Sequence, residues 1–183
     1  MRLERQLNSY CSTSEYESWA EAKSILLMFE SDWLEQNYDM QELADEWRKE
    51  GKKVSVCQYT DKKGTSQSSL DNFVVIDQND VDFWGRTTSI AARRMLDEDE
   101  FDIVIDLTTT QRRPLIYLLI EVKAKMKCGR KSELMKKIYD FQIDIKNPEF
   151  DDSEEGMAAR EAYNERKELA DQIVKYLKII QKS

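Results

Sequence analysis

From Lys23 to about Cys128 the chain alternates between short apolar runs and stretches with helical spacing. No other feature restricts its fold as much. The apolar runs are Lys23–Phe29 (KSILLMF), Lys53–Tyr59 (KVSVCQY), Asn72–Asp77 (NFVVID), Phe101–Leu107 (FDIVIDL) and the shorter Lys125–Cys128. The nearly continuous run Lys23–Phe29 suits a strand covered on both faces, and in Lys53–Tyr59 Val54 and Val56 alternate against Ser55. Between the first two, Met40, Leu43, Ala44 and Trp47 fall on one helix face within Trp33–Glu50. Asn37 or Asp39 would cap that helix and Gly51 would end it. Ser89–Leu96 and a helix from Pro114 to about Lys125 supply the next crossovers. Strands alternating with helices specify a parallel sheet with helices on both faces, and right-handed crossovers leave few topologies.

The expected fold class is therefore α/β: a three-layer, Rossmann-like, mostly parallel sheet of about five or six strands. The expected strand order is 3-2-1-4-5, with Tyr139–Ile145 added at an edge because its apolar residues alternate. Residues 1–22 read as an arm or short helix, and 23–183 as one α/β domain. That domain ends in a long helix, 157–181, with an apolar stripe of Ala162, Leu169, Ile173, Tyr176, Leu177 and Ile180. The stripe is expected to fold back over the sheet, and such a helix is also a candidate homodimer interface.

Composition removes whole mechanisms. The chain has no histidine, so Ser-His-Asp and Cys-His nucleophiles and imidazole metal ligands are excluded. Cys11, Cys57 and Cys128 are odd in number, widely spaced and without a CxxC. They are expected to be free thiols in a reducing, cytoplasmic setting. No apolar run approaches the length of a membrane span, and none within Met1–Lys23 has the length of a signal-peptide core, so no membrane association is expected.

In a sheet of this order, ligands bind outside the carboxyl ends of the strands, where the order reverses. That places the expected crevice between strands 1 and 4, lined by Glu30-Ser31-Asp32 and by the segment after strand 4. The first segment lacks the glycines of a phosphate-wrapping loop, and no GxGxxG or GxxxxGK[ST] occurs anywhere. The second segment offers Asp106, Thr108, Thr109, Thr110, Arg112 and Arg113 beside a helix start, which suits an anion. Glu30, Asp32, Asp77 and Asp106 would converge at the strand ends if the order is right, giving acid-base or oxygen-ligand chemistry. No catalytic residue, metal ligand or cofactor is assigned from the sequence.

The net charge of −8 is unevenly spread. Gln111–Lys137 carries nine basic residues against Glu121 and Glu133. Arg130, Lys131, Lys136 and Lys137 within it are candidates for a basic face that meets a protein or RNA. Trp84, in the turn Asp82-Phe-Trp-Gly85, is a further candidate contact, although packing under the sheet edge is the first expectation for it.

Several of these motifs occur together in one known group. The Lys23–Phe29 strand, Gly51-Lys-Lys-Val54, Asp82-Phe-Trp-Gly85, Phe101–Leu107, Pro114-Leu115 and Ala124–Gly129, in that order, resemble a family of short uncharacterised bacterial cytoplasmic proteins. That resemblance covers roughly residues 20–180 and implies a compact α/β fold without a known activity. Phe101–Gly129 is also distantly similar to the N-terminal Rossmann-like half of ADP-heptose-type heptosyltransferases, with Asp106, Arg112 and Gly129 as counterparts. The chain is too short to hold the second half of such a transferase.

The leading expectation is thus a non-catalytic binding or interaction module with a basic face. The alternative is a small-molecule, phosphate or sugar-nucleotide-binding domain around Thr108–Arg113.

Overall fold

The computed structural model describes residues 2–11, 15–31, 35–64, 72–98, 100–145 and 164–179. The apolar runs form β1 (Ser24–Glu30), β2 (Lys53–Tyr59), β3 (Phe73–Ile76), β4 (Phe101–Asp106), β5 (Ala124–Arg130) and β6 (Phe141–Ile143). They pair in the order β3-β2-β1-β4-β5-β6, every pair parallel. The order is the expected one, and the alternating segment takes the edge as β6. Central β1 is buried at every position after Ser24, as its unbroken apolar run requires.

The helices are α1 (Arg2–Ser9), α2 (Glu35–Lys49), α3 (Ile90–Glu98), α4 (Arg113–Glu121) and α5 (Glu165–Ile179). Alternate strand residues sort onto two faces. Ile25, Leu27, Phe29, Val54, Val56, Ile103, Ile105, Met126 and Cys128 meet α2 and α5 on one side. Leu26, Met28, Cys57, Val104 and their neighbours meet α1, α3 and α4 on the other. The amino-terminal helix is thus part of the fold, with Leu7 buried beside α4.

Several local expectations shift. Helix α2 begins at Glu35, ahead of Asn37 and Asp39, so neither caps it. It does end at Gly51: at φ +86° this residue sends its N–H to Arg48 O, and Lys52 N–H reaches Trp47 O. Both bonds of a Schellman cap are present. Helix α4 stops at Glu121 rather than near Lys125, because β5 already starts at Ala124.

The start expected for the last helix at Met157, with Ala162 and Ile180 of its stripe, lies outside the described residues. So do Asp32, residues 65–71 and the acidic stretch 147–156. In α5 itself Leu169, Ala170, Ile173, Val174 and Leu177 are buried, while Tyr176 is exposed. The buried stripe packs on the sheet and α2, so Leu169 and Ile173 are core residues and not a free surface.

Cys57 and Cys128 are buried and Cys11 is exposed, all three as free thiols. Burial pushes the Cys57 thiol up to about 12. No helix among the described residues is long and apolar enough to cross a membrane.

Candidate ligand cleft

β1 and β4 end on acidic residues, and both acids are spent on one loop. Glu30 closes β1 and is 7% exposed. Its carboxylate accepts the Thr109 N–H at 3.0 Å, the Thr109 hydroxyl at 2.7 Å and the Thr110 N–H at 2.8 Å. Arg166, from the first turn of α5, balances it at 3.4 Å. Asp106 closes β4 and is 3% exposed. It accepts the Thr108 N–H at 2.9 Å and the hydroxyls of Thr108 and Tyr139. Burial pushes the Asp106 carboxyl up, and the Thr108 and Tyr139 bonds pull it back. The Tyr139 phenol is raised too, by burial first and then by the facing carboxylate.

The crevice expected between strands 1 and 4 is therefore closed. The loop after β4 folds across the end of β1, and the amides that would face a ligand face Glu30. Of the carboxylates expected to converge, Glu30 and Asp106 meet at this loop, and Asp32 lies outside the described residues. Asp77 is fully buried and caps a single 3₁₀ turn (Gln78–Asp80), accepting the Asn79 N–H at 2.7 Å. Among the described residues there is no group of three or more side chains able to hold a metal ion.

The open cavity lies one strand further along, above β4 and β5. It is a cleft of about 510 Å³ between the loop 108–112 and the connection 130–139. Leu115, Ile116, Met135 and the Tyr139 ring supply its apolar lining, and Asp106, Thr108, Thr109, Thr110, Gln111 and Ser132 supply polar groups. Three cations border it: Arg112, Arg130 and Lys131. Gln111 spans the mouth, donating from Nε2 to Ser132 Oγ at 2.6 Å.

Each bordering cation has a carboxylate behind it. Arg112 meets Asp61 at 2.7 Å, Lys131 meets Asp144 at 2.8 Å, and Arg130 meets Glu165 of α5. None of these three carboxylates lines the cleft.

Glycine shapes the floor. An added Cβ on Gly129 would lie 2.5 Å from Tyr139 Cζ, so only glycine lets the ring lie flat on β5 with its hydroxyl at Asp106. The sequence reading placed Tyr139 inside an edge strand. It instead ends the turn 133–138, two residues before β6. The missed lining residues Ser132, Met135 and Tyr139 belong to the connection 130–139, which carries no periodic signal.

Five of the six expected ligand residues line the cleft: Asp106, Thr108, Thr109, Thr110 and Arg112. Arg113 does not. It lies on the other side of α4, beside Gly85.

The cations of residues 111–137 do not all lie at one end of the sheet. β5 carries its cations to opposite ends of the sheet, roughly 17 Å apart at about 3.3 Å per residue. Lys125, at the amino end, bonds Asp102 at 2.6 Å and Glu17 at 3.3 Å. Lys127 is buried, donating to Leu119 O at 2.6 Å and Tyr10 Oη at 2.8 Å. Arg130 and Lys131, expected on a partner face, border the cleft instead, while Lys136 pairs with Glu133 and Lys137 donates to Asn8. Trp84 is half-exposed and does not pack under the sheet edge.

A family model matches residues 1–158, which run from α1 through β6 and hold every residue of the cleft. The chain belongs to the Family of unknown function (DUF6913). The DUF6913 match stops before α5, so Glu165 and Arg166, which brace the cleft and the β1 end, lie beyond it. No curated protein and no solved structure matches the chain, and no match brings in a heptosyltransferase.

Proposed function

We propose that this protein is a ligand-binding domain whose cleft takes a small molecule with an apolar body and an anionic group. The observation that carries this reading is the juxtaposition, in one cleft, of Arg112, Arg130 and Lys131 with Leu115, Ile116 and Met135. Pockets of this size with an apolar lining and a few convergent polar groups are the usual form of small-molecule sites. The carboxylates paired with the three cations are partly solvent-exposed, and such pairs contribute little, so a ligand anion can replace them. The cations come from separate segments, Arg112 just before α4 and Arg130 and Lys131 at and just after the end of β5, and this supports a bridging anion over a structural ion pair. A macromolecule spread over residues 111–137 is the weaker reading, because those cations point to different ends of the sheet.

The test is thermal unfolding against phosphomonoesters, nucleotides, sugar phosphates and short carboxylic acids. A ligand at about 100 times its Kd adds about 2.7 kcal/mol. For a chain of this size that raises Tm by roughly 5–10 °C. The Arg130→Ala/Lys131→Ala variant should lose the shift while keeping its own Tm. Absence of any shift across the panel refutes the reading.

A further inference from the structure

The turn after β3 exposes two aromatic rings. Phe83 is 92% exposed and Trp84 51% exposed, and their rings meet edge to face with centroids 5.3 Å apart. Nothing in the cleft uses them. The turn is pre-formed: Val81 bridges Thr87, Asp82 N–H reaches Arg86 O at 2.9 Å, and Gly85 takes φ +89°. The Asp82 carboxylate accepts the N–H groups of Trp84 at 2.8 Å and Arg86 at 2.9 Å, so it holds the turn from within. The rings are thus displayed on an ordered support, which lowers the entropy lost on binding.

The stretch that follows the rings in sequence is basic. Phe83–Leu96 contains Arg86, Arg93 and Arg94, and no Asp, Glu or Lys. Arg86 and Arg93 share one carboxylate, Glu121, at 4.0 and 2.6 Å. Arg113 is exposed, packs its stem against Gly85, and makes no ion pair among the described residues. These four arginines lie on a chain whose net charge is −8. All four cations are guanidiniums, which stack on planar rings and bind phosphate through two N–H groups.

We propose that the Phe83–Trp84 turn with Arg86 and Arg113 is a binding site for single-stranded nucleic acid. Exposed aromatic faces beside guanidiniums take unstacked bases, each ring contributing one base's worth of stacking. The acidic remainder of the surface repels a duplex lying across it, so contact is confined to a few nucleotides. Two protruding rings are too small for a stable protein interface, which covers about 800 Å² on each partner. Pairing of two such turns across a two-fold axis would set arginine against arginine, so a second copy of the chain is not the occupant.

The test is fluorescence anisotropy of a short labelled oligouridylate with the full chain. Binding should weaken with salt along a log–log slope of about −1.4 to −2.1, that of two or three neutralised phosphates on a single strand. Phe83→Ala/Trp84→Ala should weaken it roughly tenfold or more, and Arg113→Glu should weaken it and flatten the slope. Phe83→Asp, at the most exposed position, is the second variant should the double variant fail to fold. No binding by the wild type overturns the proposal, as does binding that these variants leave unchanged or a duplex that binds equally well. Binding of a labelled acidic peptide in place of the oligonucleotide overturns it in favour of a protein partner.

Discussion

Replacing Gly129 with alanine should unseat Tyr139. The new methyl carbon would lie 2.5, 2.8 and 2.9 Å from three atoms of the Tyr139 ring. Carbon atoms settle at about 3.5–4.0 Å, so the ring must retreat by roughly 1 Å. β5 cannot yield, because it is paired on both sides. The ring can move only toward the cleft it lines, and that move breaks the hydrogen bond to Asp106.

Overpacking costs about 1–3 kcal/mol. Loss of a donor to a buried carboxylate costs about 1–3 kcal/mol, toward the low end because Thr108 still donates twice. Together they give about 2–5 kcal/mol, or a Tm lower by roughly 4–20 °C. Urea unfolding measures the loss directly. The same substitution in a Tyr139→Phe background should cost less, since the hydrogen bond is already gone, and the double-mutant cycle reads that coupling. A Gly129→Ala protein within about 0.5 kcal/mol of wild type, the range of an ordinary surface change, would refute the reasoning.

Three further outcomes follow from the buried charges. Burial lowers the Lys127 amine from 10.5 to about 8, with Asp140 opposing the shift. The unfolded chain therefore binds more protons between about pH 8 and 10.5, so wild-type stability should rise through that window relative to Lys127→Met, by up to about 3 kcal/mol in denaturant titrations. Burial pushes the Asp102 carboxyl up, but Lys125 and the amides of Lys23 and Ser24 outweigh it and hold the carboxyl at about 2. Asp102→Asn should cost about 1–2 kcal/mol at neutral pH, and the deficit should fade as pH falls from about 4 toward 2. Glu30→Gln should cost about 2–4 kcal/mol and speed hydrogen exchange at the Thr109 and Thr110 amides, since the amide side chain turns a donor toward donors.

The fold was legible because its strands are buried on both faces and carry their signal in every residue. β1 and β4 are the clearest cases, with boundaries within a residue or two of the apolar runs. The helix faces were legible where burial follows a simple period, as at Met40, Leu43, Ala44 and Trp47. Tyr176 broke that rule because α5 presents Ala170 and Val174 to the sheet in its place.

One half of the cleft, the loop Thr108–Arg112, was found by combining strand order with residue chemistry. The other half was not, because Ser132, Met135 and Tyr139 reach the cleft through an irregular turn. A glycine in β5 is the only local sign that a ring lies on it. The spread of the basic segment was not legible because linear charge density says nothing about direction: a strand of seven residues delivers its ends to opposite ends of the sheet.

Glu30 gives the loop after β4 the character of a receptor with a tethered ligand. Two amides, a hydroxyl and a guanidinium surround an anion that the chain itself supplies. A tethered group acts at an effective concentration of about millimolar or above, so dilute free anions cannot compete for the cradle. Truncating Glu30 to alanine would empty it. Added formate or acetate should then restore part of the lost stability, and the occupancy of the vacated seat can be titrated like any bimolecular equilibrium.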